Sequence, residues 1–435
     1  MKALKLFFML LAVAVTSCYF FPFVLSAFPM ANSKMILAVV GLVWLGVNLT
    51  KRGDAAVDRD FITLSLWALA VSIISFISMT YNSTPDNTFA SYFMSMWVWL
   101  GGAYALIQIL KTIHGGVSVP LVVNYLLTVC VLQCVLALIF DYYPSAAEWH
   151  ENTFTGEGYM GNVGDDRLHG IGCSLDVAGF RFASVIVMAC YVAYYKSRIY
   201  SGKYYWIYFP AVFFVAVIGD IISRSTIIGV GMALFFLVFV SVAQRGNSKL
   251  FLSMIVVGVI VVMVSAVLYN INDAFRNNLR FGFEGFFSLA ETGEWRTNSN
   301  DILKNMVVWP DNLKTWLMGD GYFDNPADNS LNTFDPYYVG EYYGGYYKGT
   351  DIGYLRYIFY FGVFGLLAFS MLFIQACRIC VRRFDAFKWM FIMVLAVNFI
   401  QWFKVSSDLF IVFAPFLCIS AKENAEYLKR HALRA

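Results

Sequence analysis

Twelve apolar runs set the rhythm of the chain, at residues 6–27, 35–50, 61–79, 91–110, 117–140, 172–195, 204–222, 226–243, 250–270, 352–376, 388–403 and 408–420. A helix needs about 20 apolar residues to cross hydrocarbon. The pattern therefore predicts about twelve transmembrane helices, the last two short enough to form a tilted or broken pair. The connectors fall into two classes. KRGDAAVDRD, KSRIYSGK, QRGNSK, CRICVRRFDAFK and the tail AKENAEYLKRHALRA are basic, and they alternate with MKALK at the start. The positive-inside rule places these segments and both termini in the cytoplasm. TYNSTPDNTFA, the acidic stretch at about 141–170 and the large segment 271–350 then face outward. The last contains Arg276, Arg280, Arg296, Lys304, Lys314 and Lys348, but long loops translocate largely regardless of charge. Within it, Ile302, Leu303, Met306 and Val307, a stop at Pro310, then Leu313, Trp316 and Leu317 predict two short amphipathic helices. The turn-rich MGDGYFDNPADNS follows.

Composition agrees with the pattern. Of 435 residues, 60% are hydrophobic and 14% charged, against about 25% charged in soluble domains. The fold class expected is all-α: a single integral membrane domain over 1–435, with 271–350 as its large extracytoplasmic loop. The N-terminal MKALKLFFMLLAVAVTSCYFFPFVL imitates a lipoprotein cleavage site at Cys18, yet apolar YFFPFVL follows at once, so the segment is expected to be an uncleaved first span. Most of the eight cysteines lie in apolar runs and none between 271 and 350, which implies no disulfide framework. The C-x-x-C of Cys377 and Cys380 has no partner pair and reads as packing. The outer loops show no D-x-D, no H-E-x-x-H and no clustered His/Cys ligands. No metal and no cofactor is expected, and no nucleic acid.

Charge near hydrocarbon needs a reason. Arg167 sits in GDDRLHGIGCSLDVAGF, where a salt bridge to Asp165 or Asp166 is the bland alternative. Arg224 lies in GDIISRSTIIG, four residues after Asp220, on the same face if the helix continues. Arg296 leads the first amphipathic helix, and Arg181, inside a span, reads as structural. A guanidinium fork binds phosphate oxygens bidentately and stays charged. Such a set can stabilise a leaving pyrophosphate by preorganised positive charge.

Four segments in order, RLHGIGCSLDVAGFRFAS, SRSTIIGVGMALFF, WRTNSNDILKNMVVWPDNLKTWLMGDGYF and GTDIGYLRYIFYFGVFGLLAF, together resemble the O-antigen polymerase and O-antigen ligase superfamily of bacterial inner-membrane glycosyltransferases. The resemblance spans about residues 160–375. It implies a GT-C-like enzyme that takes a glycan from undecaprenyl pyrophosphate and transfers it, with inversion and without a metal, to a sugar hydroxyl at the periplasmic face. Its partners would be undecaprenyl-pyrophosphate-linked oligosaccharides as donor and acceptor, membrane lipid, and a chain-length regulator and a flippase. The family's arginines map onto Arg167, Arg224 and Arg296. Ligases of the superfamily usually carry histidine where this chain has Asp351, which leans the reading to a polymerase. The alternatives are a ligase acting on lipid A–core and, more distantly, a flippase for lipid-linked glycans.

Asp351 can then serve as general base for the acceptor hydroxyl, or as a helix cap with Thr350. His169, Tyr343, Tyr346, Tyr347 and Tyr354 are the expected substrate-binding residues. Aromatic faces suit pyranose rings, while Tyr also anchors at the membrane interface.

Overall fold

The computed structural model describes residues 2–52, 59–155, 168–199, 204–243, 248–329, 333–343 and 345–432. It is almost wholly helical. In chain order the helices are α1 Lys2–Phe20, α2 Ser33–Arg52, α3 Arg59–Asn82, α4 Tyr92–His114, α5 Val119–Tyr142, α6 Pro144–Thr153, α7 Leu175–Ile199, α8 Tyr205–Ile222, α9 Thr226–Ala243 and α10 Ser248–Ile271. Then come α11 Asp273–Gly282, α12 Glu284–Thr292, α13 Asn298–Asn305, α14 Leu313–Met318, α15 Gly353–Arg383, α16 Lys388–Gln401, α17 Phe410–Leu417 and α18 Ala421–Ala432. Each of the twelve apolar runs falls mainly on one of these helices, the first running past α1 into β1 and the last outrunning α17 at both ends. Among the described residues seven, α2, α3, α4, α5, α7, α8 and α15, are long and apolar enough to cross a membrane. Shorter apolar stretches occur on α1, α9 and α10, and α16 and α17 have only 14 and 8 residues.

The core sits around α7, which is buried on nearly every side. Small residues let its neighbours approach: a Cβ on Gly229 of α9 would run into the Ala183 backbone of α7, the close backbone contact that small residues permit between membrane helices. Arg181, also on α7, is buried, and its guanidinium packs over the rings of Phe20, Phe21 and Phe180. On the periphery the pattern inverts. Val39 and Val43 of α2 and Val262 and Val267 of α10 are exposed. Exposed apolar rows on long apolar helices suit lipid as the surrounding solvent.

Two features lie outside the expectation. A small antiparallel sheet, order β2-β1-β3, joins β1 Val24–Leu25, β2 Phe28–Asn32 and β3 Phe154–Thr155. It ties the end of α1 to α6, and strands this short carry no periodicity to read. The large loop also holds four helices rather than two. Helices α13 and α14 occupy the amphipathic stretch, while α11 and α12 precede them. Their boundaries are set locally: Asn272, Thr297 and Asn312 cap α11, α13 and α14 by accepting from backbone N–H groups, and Gly293 closes α12 in the left-handed conformation.

Helix α15 is interrupted at Phe361 and Gly362. Gly362 has φ 70 and ψ −174, a region open essentially to glycine alone. The carbonyls freed by the break do not go unsatisfied. Asp320 N donates to Phe359 O at 2.5 Å and Gly321 N to Tyr360 O at 3.1 Å, while Ser78 Oγ of α3 donates to Tyr360 O at 2.7 Å. The turn MGDG after α14 thus plugs into the broken helix, the condition under which irregular backbone survives among membrane helices. That docking carries the loop 319–324 to the first turns of α15.

Candidate functional site

Where α15 begins, a buried arginine gathers the acids of the large loop. Arg356, one turn into α15, is 8% exposed at its side chain. Its Nη2 donates to Asp324 Oδ1 at 2.5 Å and its Nη1 to Ser406 Oγ at 2.9 Å. Asp351 Oδ1 lies 3.7 Å from Nη1. The guanidinium carbon stands 3.8 Å from the Phe323 ring centroid and 4.5 Å from that of Tyr346, so ring faces and carboxylates together compensate the buried charge. Asp324 is held opposite Tyr346 by an isolated β-bridge. The backbone before it is pinned by Asp86, whose Oδ2 accepts from Phe323 N at 2.7 Å. Burial pushes the Asp324 carboxyl above its usual range; Arg356 pulls it back and Asp86 raises it further. Asp86, fully buried, is also raised, chiefly by desolvation and against its hydrogen bonds to Thr88 and Phe323.

The helix-cap alternative for Asp351 has a geometric answer. The N-cap position of α15 is Ile352, with no side-chain cap hydrogen bond. Thr350 Oγ1 accepts from Ile352 N, and Asp351 turns to Arg356 at the mouth of the helix.

A second cluster forms around Arg224. The bland alternative for it was an ion pair with Asp220, but α8 ends at Ile222 and Ser223 is extended, with φ −153 and ψ 119. The i,i+4 register is thereby lost, and Arg224 crosses to the large loop. Nη2 lies 2.8 Å from Glu284 Oε2 and donates to Phe281 O at 2.9 Å, and Nη1 donates to Ser299 Oγ at 2.8 Å. Glu284 also accepts from Asn298 N at 3.1 Å, fastening α12 to α13. Arg296 is on the same junction but faces out, 69% exposed and paired with Glu294 at 2.7 Å.

The turn 402–409, between α16 and α17, lies against both clusters. Gln401 Nε2 donates to Ser225 O at 3.3 Å, beside Arg224. Trp402 O accepts from Tyr354 N, and a Cβ on Gly353 would meet Val405 O at 2.6 Å. On the Asp220 side a cavity of about 730 Å³ runs between α8, α9, α10 and α11–α12. Phe213, Val217, Val261, Phe283 and Phe286 make its wall apolar, and Asp220 is the carboxylate in it. Asp220 is 3% exposed and its Oδ1 has no hydrogen-bond partner among the described residues. The cations it feels are Lys404, on the 402–409 turn, and then Arg224.

The remaining expected residues divide. Tyr346 joins the Arg356 cluster. Tyr347 is buried, donates to Asp320 Oδ2 at 3.2 Å and packs with Tyr322 and Phe359; burial and Asp320 push its phenol up. Tyr343 is half-buried, and its hydrogen bond to Glu341 raises it to about 12. Tyr354 is built into the bundle, donating to Phe399 O at 3.0 Å and packing on Trp402 and Phe403. His169 belongs to a separate group, 5.1 Å from His150 and 6.1 Å from Phe140 between ring centroids. Arg167 lies outside the described residues.

Arg356, Asp324 and Asp86 were missed in the sequence. For Arg356 the signal was there: an arginine inside a membrane-length apolar run is costly and asks for a role. Asp324 and Asp86 stand in polar loops, where nothing local separates them from solvated acids. No family model matches the chain, and neither a curated protein nor a solved structure matches it.

Proposed function

We propose that the chain is an inverting membrane glycosyltransferase that polymerises lipid-linked oligosaccharide repeat units, with an undecaprenyl-pyrophosphate-linked glycan as donor and a second such glycan as acceptor. It would have about twelve spans, both termini in the cytoplasm and its site at the periplasmic face of a bacterial inner membrane. The observation that carries the reading is the apolar cavity that reaches Asp220, beside the Arg224–Glu284 pair, on one side of the 402–409 turn, with the Asp351–Arg356–Asp324 cluster on the other. A lipid-linked phosphate needs an apolar wall for its chain and a guanidinium at the end of that wall.

In this mechanism the acceptor hydroxyl oxygen attacks the anomeric carbon as the bond from that carbon to the pyrophosphate oxygen breaks. Asp351 takes the hydroxyl proton, and the polyprenyl pyrophosphate leaves with the electron pair. Arg356, with Nη1 3.7 Å from Oδ1, orients the Asp351 carboxylate. Arg224 meets the leaving group by exchanging Glu284 for pyrophosphate oxygens, a charge-assisted swap between two anions. Because Glu284 also fastens α12 to α13, that exchange would loosen the junction and couple donor binding to the position of the large loop.

The test is a glycan ladder from a deletion strain complemented with wild type, Asp351→Asn or Arg224→Ala. Collapse to a single repeat unit in both variants supports the polymerase. Full-length ladders from both would overturn it, and long lipid-linked chains that accumulate without reaching lipid A–core would assign a ligase.

A further inference from the structure

At the opposite ends of α5, α7 and α8 from the candidate site lies a second cavity, of about 360 Å³. α8 alone puts 18 residues, about 27 Å, between the two regions. The cavity is closed by α18, which docks on the start of α5 through a hydrogen bond from Val119 N to Asn424 Oδ1 at 2.9 Å. Its lining includes Lys196, His431, Asn124, Tyr204 and Tyr427 and, among the described residues, no carboxylate.

Lys196 is the unusual member. Its ammonium donates to Tyr208 Oη at 2.8 Å and stands 5.5 and 5.2 Å from the rings of Tyr204 and Tyr208. Tyr208 in turn donates to Asn124 Oδ1, so its lone pairs are turned to the lysine. Among the described residues Lys196 forms no ion pair. A largely buried ammonium supplied with one hydroxyl and two ring faces is under-compensated, since three donors and a full charge need more. His431 adds a second nitrogen. Its Nδ1 is 2.9 Å from the Tyr427 carbonyl, an acceptor that fixes a proton there and leaves Nε2 for the ligand, as acceptor of a P–OH or, in the imidazolium, as donor to a phosphate oxygen. The start of α5 adds the positive end of a 24-residue helix. A water fills about 30 Å³ of liquid, so the space exceeds a bare anion and accommodates part of what carries it.

We propose that this cavity binds a phosphate group, borne by an anionic membrane lipid or by a soluble phosphate, between Lys196 and His431. Basic pockets between membrane helices take lipid phosphates by this chemistry. The site is independent of glycosyl transfer and far from it, so an occupant there would act by tying α18 to α5 and α7.

The full chain, reconstituted in phosphatidylcholine nanodiscs, is unfolded thermally with and without inorganic phosphate, and again in nanodiscs containing phosphatidylglycerol. The expected result is a rise in Tm in at least one arm, with apparent affinity about tenfold or more weaker in Lys196→Met and in His431→Ala, the loss of one charge-assisted hydrogen bond. A rise with inorganic phosphate in phosphatidylcholine assigns a soluble ligand; a rise confined to phosphatidylglycerol assigns the lipid headgroup. No rise in either arm, or a rise that His431→Ala retains in full, overturns the proposal. His431 is exposed at the surface, so its variant keeps the test valid even where Lys196→Met fails to fold.

Discussion

Arg356 holds Asp324 at 2.5 Å and Asp351 at 3.7 Å with one guanidinium that is 8% exposed. Removing one member of a buried ion pair strands the other, at about 3–5 kcal/mol, whereas replacing both is far milder. Arg356→Met should therefore lower Tm sharply, and Arg356→Met with Asp324→Asn should recover much of the loss. Additive losses in unfolding scans would show that the two do not act as a pair. Asp351→Asn is expected to keep the fold, since Asp351 is the longer contact, and, under the proposed function, to cut chain extension by about 10²-fold or more, the usual contribution of a general base. A separate residue sets an acid limit. Burial, with the His169 charge, lowers His150 from 6.5 to about 4. The unfolded chain then binds the proton first, so stability is full above 6.5 and drains as pH falls toward 4. His150→Phe, which preserves the stack on Phe140, should flatten Tm over that window.

At the scale of elements, the broken helix organises the site. Gly319 and Gly362 occupy the same glycine-only backbone region and face each other across the junction. A Cβ on Gly362 would overlap the Leu317 carbonyl, and one on Gly319 the Tyr360 carbonyl. Gly362→Ala should cost more than the ~1–2 kcal/mol of a left-handed backbone alone, because the MGDG turn must also withdraw. Gly231 of α9 has nothing within 4 Å of its Cβ position, and Gly231→Ala should instead stabilise by about 0.5–1 kcal/mol. Tm values of the two variants check the contrast. Of the two glycine motifs, only MGDG was legible as a turn signal in the sequence. That they are halves of one joint was not, because the docking residues are brought together by packing of α3, α14 and α15 rather than by any local spacing.

For the whole molecule, sidedness is the property to measure. Val339 is 99% exposed in the large loop, and Lys422 is 87% exposed on α18. V339C should react with a membrane-impermeant maleimide in intact cells, and K422C only after permeabilisation. Equal labelling of both in intact cells would contradict the proposed topology. Nearly all the apolar helices were readable beforehand, down to the short final pair, while α6, α11, α12, α18 and the small sheet were not. These lie in polar connectors, where caps and tertiary contacts rather than an apolar period define the element.

The amino-acid sequence by itself determined the apolar helices and their order. Hydrocarbon-length runs must satisfy their own backbone hydrogen bonds, and they do so as helices whatever their neighbours. It also singled out Asp351, Arg224 and the tyrosine-rich segment as candidates for chemistry. Only the tertiary structure decided who meets whom. Arg224 leaves Asp220 for Glu284 because the chain turns extended at Ser223. Asp324 reaches Arg356 because the MGDG turn enters the break in α15. Such pairings join segments far apart in the chain, and their energy depends on burial and orientation that exist only once the helices have packed.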